Sequence, residues 1–249
     1  MSGERIDLNA DVGEGSGQDP ALLRVITSAN IACGVHAGDA ETMRATVVLA
    51  RDHGVAAGAH PSFPDREGFG RREVRLSARE IEECVIAQVH ALAAIAASEG
   101  IRLRHVKPHG ALYNVAARDA SVADAVVRAV LALDPSLILY ALAGSELLES
   151  GRRAGLQTAS EVFADRGYRA DGTLVPRGEP GALIEEAAIV VPRAIGMVRQ
   201  RAVTAADGSR VSLQVDTICV HGDTPGAAAL AARIRGGLLE TGIEVAALR

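Results

Sequence analysis

"SANIACGVHAGDAETMRATVVLARDHGVAAGAH", residues 28–60, contains one whole strand–helix–strand unit. The apolar run 28–33 reads as a strand. Asp39 can N-cap a helix that places Met43, Thr46, Val47 and Ala50 on one face, and Gly54 ends it. The chain then enters a second apolar run at 54–59. A helix between two such runs is a crossover, so the strands it joins are parallel. Each strand also empties into polar residues: Asn30, His36 and Asp39 after the first, His60 after the second.

The same alternation continues outward in both directions. Further apolar runs lie at 4–9, 102–107, 136–142, 157–163 and 212–220. Ser77 with Glu80 forms a capping box before Ile81, Val85, Val89, Leu92 and Ala96, closed by Gly100. Ser121 is read as opening the next helix, with Pro135 just past its end. Thr224 and Pro225 are read as N-cap and first residue of the last helix, which runs to Gly242. Residues 171–181, "DGTLVPRGEPG", read as a long loop, and "RAVTAADGSRVSLQV" (201–215) as a hairpin turning at Asp207-Gly208. Seven strands alternating with helices predict a TIM-type barrel lacking one strand, or an open doubly wound sheet. No Pro/Gly/Ser-rich linker divides the chain, so a single domain over 1–249 is expected.

Bulk properties narrow the function. The 249 residues are 48% apolar and 23% charged, an ordinary globular balance. A net charge of −5 without any Lys/Arg run argues against nucleic acid or an anionic membrane as partner. The first residues carry charges and no apolar stretch, so no signal peptide is expected, and charges interrupt the apolar helices short of a membrane span. Three cysteines are too few for a disulfide framework, which predicts a cytoplasmic protein.

In parallel α/β folds ligands sit at the C-terminal ends of strands, and the reactive residues cluster there. Strand one supplies Asp7, Asn9, Asp11 and Glu14. Strand three supplies His60, Asp65, Arg71 and Arg72; strand four, Lys107, His109, Tyr113 and Asn114. Strand six supplies Glu161, Asp165 and Arg166, and strand seven Asp216, His221 and Asp223. His36, His60, His109 and His221 follow four different strands and are read as one site, whereas His53, His90 and His105 are read as structural or solvated. Lys107 is the only lysine among 26 basic residues. It suggests a need for a compact point charge or a titratable amine. Cys33 and Cys219 are read as small buried residues. No CxxC pair supports a thiolate zinc site, although Asp11, His36 and His60 could offer Zn²⁺ a carboxylate and two imidazoles. A Walker-type nucleotide loop is absent.

The motifs "IDLNADVGEG", "SANIACGVHAGD", "GAHPSFPDREGFGRR", "HVKPHGALYN", "EVFADRGYRADGTLVPR" and "DTICVHGD" together resemble the 5-oxoprolinase component-A family, also called the lactam-utilization family, from about residue 5 to 245. That resemblance implies a seven-stranded parallel (β/α) barrel of the glycoside hydrolase/deacetylase type. It implies ATP-dependent hydrolysis of 5-oxoproline to L-glutamate with two further subunits, B and C, and ATP as co-substrate held here or by those partners. Asp11, His60, Lys107, His109, Asp216 and His221 are then catalytic candidates. Asn9, Glu14, Asn30, His36, Arg71, Arg72, Tyr113, Asn114 and Arg166 are candidates for substrate binding. No metal ligand is assigned. A metal-dependent amide hydrolase and a non-catalytic binding subunit are the alternatives.

Overall fold

The structure is a computed structural model and describes residues 4–220 and 226–249. In chain order the elements are β1 (Arg5–Val12), α1 (Asp19–Leu22), β2 (Ser28–Ala32), α2 (Ala40–Asp52), β3 (Ala56–His60), α3 (Ala78–Ser98) and β4 (His105–Val106). They continue with α4 (Gly110–Ala116), α5 (Ala120–Leu133), β5 (Ile138–Leu142), α6 (Glu146–Arg153), β6 (Thr158–Phe163) and α7 (Ala187–Gln200). The last are β7 (Ala202–Thr204), β8 (Arg210–Ser212), β9 (Thr217–Val220), α8 (Ala227–Glu240) and β10 (Glu244–Val245). Strands β1, β2, β3, β4, β5, β6 and β9 pair in that order, all parallel, and β9 returns to β1. The sheet therefore closes into a seven-stranded barrel, and the open-sheet alternative falls. β10 pairs in parallel with the start of β1, outside the closed ring.

Local chemistry sets the helices. Asp39 accepts the Thr42 N–H, and the Ser77–Glu80 box is complete. Ser145 caps α6 through the Leu148 N–H. The cap of α5 is Asp119, not Ser121: its carboxylate takes the N–H groups of both Ser121 and Val122. Thr224 and Pro225 lie outside the described residues, and α8 begins after Gly226, whose φ is +80°. The 201–215 hairpin forms as β7–β8 with antiparallel pairing. α3 passes the length and composition of a membrane span, contrary to expectation. Its Ile81, Val85, Val89, Leu92 and Ala96 are nevertheless buried in the core.

The period of two along each strand divides the barrel into two environments. In β1, Ile6, Leu8, Ala10 and Val12 belong to the apolar core between barrel and helices. Asp7, Asn9 and Asp11 alternate with them and enter polar networks inside the barrel. The lumen is thus polar and layered, unlike the branched apolar filling usual in such barrels. At the bottom Asp7 accepts from Thr27, Ser28, Tyr140 and Thr217 at 2.6–3.0 Å. Burial raises the Asp7 pKa, and those four donors oppose the rise. One layer up, Asn9 donates to Glu161 and Thr217 and accepts from Asn30, which also bonds Asp11 and His105. Apart from the half-buried Thr27, each of these polar side chains is buried, and each is bonded, as a buried network requires.

Candidate active site

The third layer is the floor of a cavity of about 740 Å³ at the C-terminal end of the strands. Lys107, just after the short β4, projects its ammonium to 2.9 Å from both Asp11 Oδ1 and Glu161 Oε1. Cys219 Sγ lies at 3.0 Å and Asn9 Oδ1 at 3.4 Å. Burial alone would lower its pKa, but the charges of Asp11, Cys219 and Glu161 outweigh that and hold it well above the ordinary value. Held between two carboxylates, the Lys107 amine is kept protonated, which favours the point-charge reading over the titratable amine. Tyr113 donates to the other Glu161 oxygen at 2.8 Å, which completes the clamp.

Beside this clamp stand three imidazoles. His60 Nδ1 is 2.7 Å from the Lys107 carbonyl and His109 Nε2 is 2.9 Å from the Phe69 carbonyl. A carbonyl only accepts, so each of those ring nitrogens carries the proton. The remaining nitrogens, His60 Nε2 and His109 Nδ1, face each other at 2.9 Å. Two lone pairs do not sit stably at that distance, so a proton or a cation belongs between them. Asp11 Oδ1 is 3.4 Å from His60 Nε2, and Glu14 Oε1 is 3.4 Å from His109 Nδ1. One donor atom from each of these four residues falls within 4.8 Å of the others. The set suits a divalent cation, with both histidines oriented by backbone carbonyls in the way metal-ligating histidines usually are.

His36 is behind this group rather than in it. Its ring stacks on His109 at 3.9 Å and its Nε2 contacts Glu14 at 3.2 Å. Burial first, then the neighbouring His60, pushes its pKa down to about 3. His105, read from sequence as structural or solvated, is buried, bonds Asn30 and stacks on Tyr140 at 4.2 Å. Burial first, then Lys107, lowers its pKa to about 3. In the unfolded chain both rings titrate near 6.5. The unfolded state then binds more protons below pH 6.5, so the stability these neutral rings confer is present above 6.5 and lost as pH falls toward 3. Between pH 6.5 and 5.5 each ring is expected to remove roughly 1 kcal/mol of stability, read as a falling urea midpoint.

The loop after β3 is shaped by the site. Phe69 has φ +55°, an unfavourable conformation for a bulky residue, and it aims the carbonyl that orients His109. Gly70 follows with φ +65°, and a Cβ there would come within 2.9 Å of the His109 ring.

Of the residues singled out from sequence, Asp11, Glu14, His60, Arg71, Lys107, His109, Tyr113, Asn114 and Arg166 line the cavity. Asn9 and Asn30 lie wholly buried beneath it. Two candidates are misplaced. Arg72 turns back to Asp65, with its Nη2 2.7 Å from Oδ1, and braces the 65–72 turn. Asp216 sits at the entry end of β9, where its carboxylate accepts the Ser160 N–H at 2.8 Å, the opposite end from the cavity. His221 and Asp223 lie outside the described residues. The set of donor atoms that could hold a cation also differs from Asp11, His36 and His60: it comprises Asp11, Glu14, His60 and His109, and His36 contacts Glu14. Glu161, named from sequence among the strand-six residues but given no role, and Cys219, read only as a small buried residue, both contact Lys107. A lone acid within the otherwise apolar "TASEVF" was the available signal for Glu161.

Residues 6–249 match the LamB/YcsF family. The crystal structure of the lactam utilization protein from Thermus thermophilus is 44% identical, superposes with a TM-score of 0.92, and the alignment covers 98% of this chain and 100% of that one. A putative cellobiose-phosphate cleavage protein from Enterococcus faecalis V583 is 15% identical at a TM-score of 0.58, over 98% of this chain and 97% of that one, and so shares the fold alone. The polar lumen and the histidine-lined cavity are thus features of a chain that belongs to the LamB/YcsF family.

Proposed function

We propose that this chain opens the ring of 5-oxoproline to give L-glutamate, coupled to ATP, as the A component of an assembly with two further subunits, B and C. The observation that carries the proposal is the Lys107 clamp at the floor of a polar cavity, beside a histidine pair that must share a proton or a cation. A lactam carbonyl is a weak electrophile. Transfer of the γ-phosphoryl group to the amide oxygen makes its carbon open to attack. Water adds to that carbon, the ring C–N bond breaks with a proton delivered to the leaving nitrogen, and a second water releases the phosphate. Two of the Lys107 N–H groups are taken by carboxylates; the third, shared between Cys219 and Asn9, is the one an oxyanion would recruit. Asp11 and Glu14, beside the His60–His109 pair, accept the proton of the attacking water, and the proton that the pair shares passes to the leaving nitrogen. Arg71, over the Phe69 ring at 5.0 Å, is placed at the rim to take the substrate carboxylate.

A second reading is favoured by the four-donor set. A divalent cation held by Asp11, Glu14, His60 and His109 would polarise the amide carbonyl directly and make phosphorylation unnecessary. One assay separates the two. Glutamate release from 5-oxoproline is followed with this chain alone and with the two partner subunits, with and without ATP, before and after chelation. The first reading expects release only with ATP, indifferent to chelation of the chain's own metal. ATP-independent release that is lost on chelation and restored by Zn²⁺ or Mn²⁺, with the visible spectrum of a Co²⁺-loaded sample as independent readout, would establish the second.

A further inference from the structure

The rim of the cavity is rich in arginine, in a chain whose net charge is −5. Two of these arginines have carboxylate partners: Arg118 pairs with Glu73 and Arg169 with Glu179. Arg166 and Arg177, both lining the cavity, differ: among the described residues neither forms an ion pair. Arg166 leaves the end of β6, is only 6% exposed, and is held by its own loop. Its Nε donates to the Ala182 carbonyl at 3.0 Å and its Nη2 to the Val175 carbonyl at 2.7 Å. The third nitrogen, Nη1, makes no hydrogen bond within the described residues. Burial, and then the charge of Arg177, lower the Arg166 pKa, and Asp165 offsets only part of this.

Two guanidinium groups that line one cavity and form no ion pair among the described residues, one of them buried, are costly unless an anion joins them. The barrel places them away from Arg71. That residue follows β3, and two strands separate β3 from β6 in one direction around the ring and three in the other, so the loops face one another across the mouth. The cavity of about 740 Å³ is far larger than a five-membered ring with one carboxylate needs.

We propose that Arg166 and Arg177 form an anion subsite on the β6 side of the cavity that takes the phosphate chain of a nucleoside triphosphate, opposite the Arg71 wall that takes the lactam carboxylate. The proposal rests on the ATP-coupled reading above and gives the nucleotide a place in this chain. Planar guanidinium forks suit phosphate oxygens, and they take the part that a Walker loop would play elsewhere.

The test is calorimetric binding of ATP, inorganic tripolyphosphate and 5-oxoproline to the full chain and to Arg177→Ala, Arg177→Lys and Arg177→Glu. Arg177 is chosen because Arg166 braces its loop and its removal would confound folding with binding. Arg177→Ala is expected to weaken ATP and tripolyphosphate about tenfold or more, Arg177→Glu further still, and Arg177→Lys least. 5-Oxoproline affinity is expected to stay within about a factor of two. Failure of the wild-type chain to bind either polyphosphate, or equal polyphosphate binding by all variants, overturns the subsite. Loss of 5-oxoproline binding with unchanged ATP binding overturns it too, and makes Arg177 a carboxylate ligand. If tripolyphosphate binding depends on Arg177 while the complete assembly releases no glutamate, the subsite stands and the 5-oxoprolinase reading falls.

Discussion

Lys107→Arg is expected to lower turnover by about 10²–10³-fold while keeping the barrel folded, because the charge is retained and the geometry is not. The ammonium sits among four acceptors, Asp11, Glu161, Asn9 and Cys219, at 2.9–3.4 Å. A flat guanidinium cannot reach that arrangement from the same backbone position, and the added atoms overpack the lumen by about 1–3 kcal/mol. Lys107→Met is the harsher change. It leaves the buried Asp11 and Glu161 without their cation, and breaking such a pair costs about 3–5 kcal/mol. Urea midpoints separate the two effects: the methionine variant loses stability first, and the arginine variant loses rate. A Lys107→Arg protein that turns over near the wild-type rate would remove Lys107 from the chemistry.

The lone lysine was the strongest sequence signal, and its meaning depended on what surrounds it in space. The strand–helix rhythm, the Ser77 box and the Asp39 cap are local, and local chemistry is legible along a chain. Closure of the barrel is not. It depends on β9 reaching β1, some two hundred residues away, and with closure the residues Asp7, Asn9 and Asp11 become lumen rather than one face of an open sheet. The alternation of acid and amide with Ile6, Leu8 and Ala10 was visible, but it did not say that the interior would be polar. Asp216 shows how register misleads. The run 212–220 was read as one strand ending in the site, whereas the hairpin takes residues 210–212 and the barrel strand begins only at Thr217. That shift puts Asp216 at the strand's entry. Arg71 and Arg72 were indistinguishable in sequence, and only the turn around Asp65 separates the cavity-facing residue from the bracing one. His105 opens the motif "HVKPHGALYN", yet nothing along the chain shows that its part depends on a glycine two residues before His60.

Gly58→Ala is expected to disable a residue that touches no substrate. Gly58 lies in β3 opposite His105 in β4, and a Cβ on it would fall 2.2 Å from His105 Nε2. The ring cannot swing aside cheaply, since it stacks on Tyr140 at 4.2 Å and its Nε2 bonds Asn30 Oδ1 at 2.8 Å. Asn30 in turn donates to Asn9 at 2.7 Å and Asp11 at 2.9 Å, the groups that hold Lys107. One methyl group therefore displaces an imidazole, breaks a buried hydrogen bond and loosens the clamp from below. Overpacking of this kind costs about 1–3 kcal/mol and an unsatisfied buried polar group a similar amount. Together they are expected to lower the melting temperature by roughly 5–15 °C in a chain of this size. Activity measured well below the new melting point is expected to fall as well, with kcat reduced more than KM is raised, because Lys107 and Asp11 shift while the Arg71 rim does not. Gly58→Ala combined with His105→Ala removes the clash and is expected to recover part of the lost stability but not the rate, since Asn30 still lacks its partner. A double variant with neither effect would mean that the lumen network is filling rather than support for the site.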